Sequence, residues 1–194
     1  MEKSDIRREV RQRIKALSPE ERMAEARSIF DRVEALDSFH KAQCVAAFVA
    51  MPDEVPTKEI LGRWLKLGKR IVVPRVEGDI MRFYDYSPDR IVVGAYGIEE
   101  PQGNDEVAPR EIDLIIVPAR AFTHAGARLG RGGGFYDKYM SLEGFSAYKV
   151  GVAFGCQIFD ELPTDKHDIR VDTVVAGALL KVKEMTKMRI SHLD

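Results

Sequence analysis

Residues 44–50 read Cys44-Val45-Ala46-Ala47-Phe48-Val49-Ala50, an apolar run with no polar interruption. Such a run has neither the 3.6-residue period of a surface helix nor the alternation of a half-exposed strand. It predicts a strand buried on both faces, the kind found in parallel sheets. Similar runs recur at Ile71-Val72-Val73 (stopped by Pro74), Leu114-Ile115-Ile116-Val117, Val150-Gly151-Val152-Ala153 and Thr173-Val174-Val175-Ala176, with a more exposed strand at Met81 to Tyr86. The segments between them have helical spacing. Ile6, Val10, Ile14 and Leu17 form one stripe. Ser18-Pro19-Glu20-Glu21 is a capping box ahead of a second helix that turns Met23, Ala26, Phe30, Val33 and Leu36 inward. A third helix starts at Thr57, carries Ile60, Leu61, Trp64 and Leu65, and ends at Gly68. A short fourth covers Phe135 to Leu142. Short apolar strands alternating with helices predict an α/β fold. It is one domain over residues 1–194, with a mostly parallel central sheet flanked by helices on both faces. The stretch from Ser87 to Arg110 reads as a long surface connection.

Composition narrows the functional classes. The 194 residues carry 30 Lys+Arg and 31 Asp+Glu, a formal net charge of −1, which argues against bulk electrostatic binding of nucleic acid. Basic residues are not interleaved with aromatics, so no RNA-binding surface is expected. The two cysteines, Cys44 and Cys156, lie far apart and form neither a disulfide framework nor a zinc motif. The charged N-terminus lacks the apolar segment of a secretory signal, and no apolar run approaches the ~20 residues of a membrane span. The expected compartment is the cytoplasm.

The strongest chemical signal is Arg128-Leu129-Gly130-Arg131-Gly132-Gly133-Gly134-Phe135-Tyr136-Asp137, between a buried strand and a helix. Glycines there let the backbone approach a phosphate, N–H groups at a helix start attract anions, and two arginines add donors. The stretch fits neither the P-loop nor the dinucleotide fingerprint. Asp137 follows directly and suits Mg²⁺ beside bound phosphate, and the carboxylate group in His167-Asp168-Ile169-Arg170-Val171-Asp172 could supply the partner ligand. Asp53-Glu54 follow a buried strand, a position suited to substrate contact. By spacing alone, Lys3 and Arg7 share one helical face and read as an ordinary solvated pair. No serine, cysteine or threonine sits in a nucleophile motif.

Taken together, several segments resemble the 5-formyltetrahydrofolate cyclo-ligase (5,10-methenyltetrahydrofolate synthetase) family. They are Lys3-x-x-x-Arg7, Met51-Pro52-Asp53-Glu54-Val55-Pro56-Thr57, Gly97-Ile98-Glu99-Glu100-Pro101 and Asp113 through Pro118. The Arg128–Asp137 block follows, then Val152-Ala153-Phe154 with Gln157, and Asp168 to Asp172. They occur in the family's order across nearly the whole chain, and LGRGGGFYD is the most specific. The resemblance implies an ATP- and Mg²⁺-dependent ligase. It would close 5-formyltetrahydrofolate to 5,10-methenyltetrahydrofolate through a phosphorylated formyl oxygen attacked by N10, releasing ADP and phosphate. By position, Lys3, Arg7 and Arg128, Leu129, Gly130, Arg131, Gly132, Gly133, Gly134, Phe135 and Tyr136 would bind ATP, with Arg131 the catalytic group nearest the transferring phosphate. Asp137 and Asp168 would hold Mg²⁺. Val49, Glu54, Tyr96 and Phe135 would bind the folate. The partners implied are folate and ATP, with no nucleic acid or membrane, acting as a monomer. The chain departs from the family pattern at Tyr96 (often tryptophan), Phe135 (often tyrosine), Gly133 (lysine in some relatives) and Ala119-Arg120-Ala121-Phe122, where small residues or glycine are usual. The other readings left open are a non-catalytic folate- or nucleotide-binding relative and a sugar-phosphate isomerase on a similar scaffold.

Overall fold

The amphipathic stripe Ile6, Val10 and Ile14 is buried along helix α1 (Lys3–Lys15). In this computed structural model, which describes residues 1–94 and 97–178, the helices α2 (Pro19–Glu34), α3 (Asp37–Lys41) and α4 (Lys58–Lys66) join α1 on one face of a central sheet. Tyr96 and residues 179–194 lie outside the described residues. The Ser18 capping box is formed as read, with the hydroxyl accepting from the Glu21 N–H. Met23 is the exception on α2. It is exposed, and Ile29 takes the inward place beside Ala26, Phe30 and Val33.

The main sheet has the order β11-β10-β7-β1-β2-β3-β6. Its strands are β1 (Cys44–Ala46), β2 (Arg70–Glu77), β3 (Ile80–Asp85), β6 (Glu106–Val107), β7 (Leu114–Val117), β10 (Tyr148–Ala153) and β11 (Thr173–Ala176). The five strands from β11 to β2 are mutually parallel, and β3 and β6 add antiparallel pairings. Strand alternation divides the core. Val45, Ile71, Val73, Leu114 and Ile116 face the α1–α4 layer, whereas Ala46, Val72, Ile115 and Val117 face α5 (Phe135–Met140) and its neighbours. Helices therefore cover both faces, as expected, but unequally.

Three local expectations are corrected. Pro74 does not end its strand, which runs on to Glu77. The Ile71 carbonyl accepts from Tyr86 on the β3 side and the Val72 carbonyl from Ala47 on the β1 side, so by alternation Pro74 points toward β1. There β1 has already stopped pairing, and the missing N–H costs no ladder bond. The 44–50 run is a ladder strand only to Ala46; Ala47 and Phe48 stay buried as the chain leaves the sheet. Finally, Ser87–Arg110 is not featureless. It contains the ribbon β4 (Ile91–Val93) and β5 (Glu99–Pro101), plus β6 at the sheet edge.

Candidate active site

Strand order reverses between β1 and β7. From β1 the chain moves outward to β2, and from β7 it moves the other way to β10 and β11. The loops after these two strands must part at that point, which leaves a crevice at their carboxyl ends. A cavity of about 310 Å³ lies there.

One wall comes from the chain after β1. Thr57 Oγ1 donates to the Phe48 carbonyl at 2.6 Å and accepts from the Ala50 N–H at 3.0 Å, shaping the segment that exposes Val49 to the cavity. A tight turn follows, in which the Glu54 N–H donates to the Met51 carbonyl and the Met51 N–H donates to Glu54 Oε1 at 2.9 Å. The Glu54 side chain is 14% exposed. Burial pushes its pKa above the ordinary carboxylate value, against the opposing pull of the Met51 N–H and Arg131. The folded state therefore binds a proton on Glu54 more readily than the unfolded chain does. That contribution is fully present below the unfolded value and is lost as pH rises through the raised folded one. Glu54→Gln, which keeps a carbonyl for the Met51 N–H, is expected to raise the thermal midpoint at pH 7. The advantage should shrink as pH falls through the carboxylate range. A constant difference across pH, followed by thermal melts, would refute this account of Glu54.

The opposite wall comes from the chain after β7. A hairpin of β8 (Ala121–Phe122) and β9 (Arg128–Leu129) leads into the glycine loop, so Arg128 and Leu129 are strand residues rather than loop residues. Gly132 (φ +118°) and Gly134 (φ +69°) adopt backbone conformations that side chains resist, and Gly134 caps α5. At Gly133 a Cβ would lie 2.7 Å from the Phe135 ring, which folds over it. Any side chain at 133 would therefore require the Phe135 ring to move.

Helix α1 supplies the third wall. The one-turn spacing of Lys3 and Arg7 places both at the cavity. Arg7 Nε donates to the Gly130 carbonyl at 2.9 Å, and Lys3 Nζ lies 2.7 Å from Asp165 Oδ2 and 3.5 Å from Asp168 Oδ2. The hydrogen bond to Asp165, with both carboxylates nearby, outweighs partial burial and raises the Lys3 pKa. The pair is not a solvated face.

The carboxylates expected to hold a metal meet in one corner. Asp137 Oδ1 accepts from the Ile169 N–H at 3.0 Å and pairs with Arg128 Nη2 at 3.0 Å, while Asp168 Oδ2 accepts from the Asp165 N–H at 2.7 Å. Among the described residues no group of three or more His, Cys, Asp or Glu forms a metal cluster. Two carboxylates fit Mg²⁺, which keeps water and takes phosphate oxygens for its other positions. Arg128, read as a phosphate contact, borders the cavity with a side chain only 4% exposed; it forms an ion pair with Asp137 and donates a hydrogen bond to the Pro118 carbonyl. Tyr136 also lines the cavity; burial and the Glu54 carboxylate push its phenol above the ordinary value, so it stays neutral. Both cysteine thiols are pushed up by burial to about 11, which agrees with the lack of a thiol nucleophile motif.

Sequence reasoning placed Asp53 only as a substrate-contact position beside Glu54 and gave no role to Asp165 or Arg120. Asp53 Oδ1 accepts from Arg131 Nη2 at 2.6 Å, and its other oxygen pairs with Arg120. Burial alone would raise the Asp53 pKa, but the two guanidiniums hold it below its ordinary value. The strand-end position of Asp53 was legible, but its pairing with Arg120 and Arg131, 67 and 78 residues away, was not. The cavity's apolar end, formed by Pro74, Val76, Met81 and Ile98, comes from β2, β3 and the ribbon region and was not legible either.

Cations, a glycine loop and a carboxylate corner at a strand-order switch define a class: α/β proteins with a cation-lined crevice at the carboxyl ends of parallel strands. Within that class, the profile of the 5-formyltetrahydrofolate cyclo-ligase family matches residues 1–177, and the chain belongs to this family. The chain is 31% identical to the 5-formyltetrahydrofolate cyclo-ligase of Mus musculus over 189 residues, covering 89% of this chain and 92% of the relative. It is 32% identical to the Escherichia coli (strain K12) enzyme of that name over 176 residues, covering 86% and 95%. The solved structure of Aquifex aeolicus 5,10-methenyltetrahydrofolate synthetase superposes with a TM-score of 0.81 at 37% identity, covering 91% of this chain and 90% of that one. A 5,10-methenyltetrahydrofolate synthetase from Mycoplasma pneumoniae gives 0.74 at 26% identity, covering 90% and 98%. No helix of the described residues is long and apolar enough to cross a membrane.

Proposed function

We propose that this chain closes 5-formyltetrahydrofolate to 5,10-methenyltetrahydrofolate at the expense of ATP. The observation that carries this reading is the convergence on one cavity of the α1 cations, the glycine loop and the Glu54 turn. An anion site and an organic-substrate site then share one space, as direct phosphoryl transfer between two ligands requires.

The formyl oxygen of an amide is a poor leaving group, so attack of N10 on the formyl carbon would stall. Transfer of the γ-phosphoryl group to that oxygen releases ADP and makes an imidate-like phosphate. N10 then bonds to the carbon and gives its N–H proton to water, and phosphate departs with the oxygen. The protein needs no nucleophile of its own for this sequence. Lys3, Arg7 and the glycine-loop N–H groups hold the phosphates, and Arg131 neutralises charge on the transferring group. Glu54 and Val49 bind the folate, with Phe135 as a stacking surface. Asp137 and Asp168 are the residues that would hold Mg²⁺, which supplies charge neutralisation on the phosphates.

The test follows the methenyl product's near-ultraviolet absorbance in a mixture of protein, 5-formyltetrahydrofolate, ATP and Mg²⁺. An increase that requires nucleotide is expected. A flat trace from folded protein that still binds ATP would refute the cyclo-ligase reading and favour a non-catalytic binding role.

A further inference from the structure

Arg131 sits on a loop of exposed glycines, a poor support for a group that must meet a transferring phosphoryl group within a fraction of an ångström. We propose that Asp53 and Arg120 are positioning residues for Arg131, with a buried arginine fixing a carboxylate and that carboxylate fixing the catalytic guanidinium. The inference rests on the ATP-dependent reading and concerns two residues which that reading leaves without a role.

The chain of contacts runs from a buried point to an exposed one. Arg120 is anchored by its backbone: its N–H donates to the Leu129 carbonyl at 2.8 Å, and its carbonyl accepts from the buried Gln157 Nε2 at 3.1 Å. Its side chain is only 10% exposed and pairs with Asp53 Oδ2. Asp53 is held a second way, because Arg22 Nη1 on α2 donates to the neighbouring Pro52 carbonyl at 3.0 Å. The other Asp53 oxygen takes Arg131, whose side chain is 35% exposed, at 2.6 Å. Arg131 and Glu54 line the cavity, whereas Asp53 and Arg120 stand behind it. The pair therefore acts through Arg131 rather than on a ligand.

The geometry also shows what the clamp prevents. Arg131 Nη2 lies 3.8 Å from Glu54 Oε2. Without Asp53, Glu54 is the nearest carboxylate for this guanidinium. A collapse onto it would withdraw Arg131 from the phosphate and occupy the folate's partner.

Asp53→Asn is expected to lower kcat by about 10- to 100-fold with KM for ATP little changed, the signature of an interaction made in the transition state. Asp53→Glu should recover much of the loss. In an Arg131→Lys background, Asp53→Asn should cost little more, because its effect passes through Arg131. Arginine-selective ¹⁵N–¹H NMR provides a readout without turnover: slowed rotation of the Arg131 guanidinium in the wild type and fast rotation in Asp53→Asn. An unchanged kcat in Asp53→Asn, or an equal further loss in the Arg131→Lys background, overturns the proposal. If the wild type itself does not turn over, the cyclo-ligase reading fails instead, and the NMR comparison decides the clamp: different rotation supports it and identical rotation overturns it.

Discussion

Arg131→Met is expected to cut kcat by about 10²- to 10³-fold, the usual cost of removing one preorganised group that stabilises transition-state charge. The fold should barely notice. Arg131 is partly exposed on the loop, and its loss leaves Asp53 paired with Arg120. Exposed ion pairs of this kind contribute about 0–1 kcal/mol. Turnover and thermal midpoint measured on the same preparation separate the two effects. Near-wild-type kcat in the folded variant would remove Arg131 from the chemistry. A collapse of the midpoint would show that its main role is structural.

Arg128→Met is expected to do the reverse in kind, losing stability first. Its guanidinium is buried against Asp137 and the Pro118 carbonyl and lies 5.8 Å from the centre of the Tyr136 ring. Removing one partner leaves the Asp137 carboxylate, itself largely buried, without its counter-charge. Such losses cost about 3 kcal/mol or more, or about 6–12 °C in melting temperature for a chain of this size. Asp137→Asn in the same chain should restore part of the stability, because a neutral amide needs no cation, but should not restore turnover. Melting curves and rates on the single and double variants test this. A stable but inactive Arg128→Met protein would instead mean that Arg128 touches the nucleotide directly.

The contrast between these arginines marks how far the sequence could be read. Both lie in one motif with similar glycine neighbours, and residue type predicted phosphate contacts for each. Only the hairpin β8–β9, whose strands are two residues each, turns one inward and leaves the other at the loop tip. Strands so short leave no periodic signal. Lys3 and Arg7 show a similar limit. Their spacing established a shared face but not which face, and what settles that is the packing of α1, where Ile6, Val10 and Ile14 are buried and Arg7 reaches the Gly130 carbonyl. Pro74 misled because a missing N–H is costly only where a neighbouring strand would have accepted it, and the neighbour's length lies elsewhere in the chain.

What the chain's own pattern settled was local or repetitive. Apolar runs marked the parallel core strands, helical stripes and the Ser18 box marked α1, α2 and α4, and the glycine loop marked the segment that borders the cavity beside a carboxylate. These follow from backbone sterics and burial of apolar surface, which act over a few residues and leave a period. The cavity's apolar end, the Arg128–Asp137 pair and the Arg120–Asp53–Arg131 chain join residues from remote parts of the chain. Their partners are chosen by how the strands order themselves at the β1–β7 switch, and charge pairing at such a distance leaves no mark in local composition.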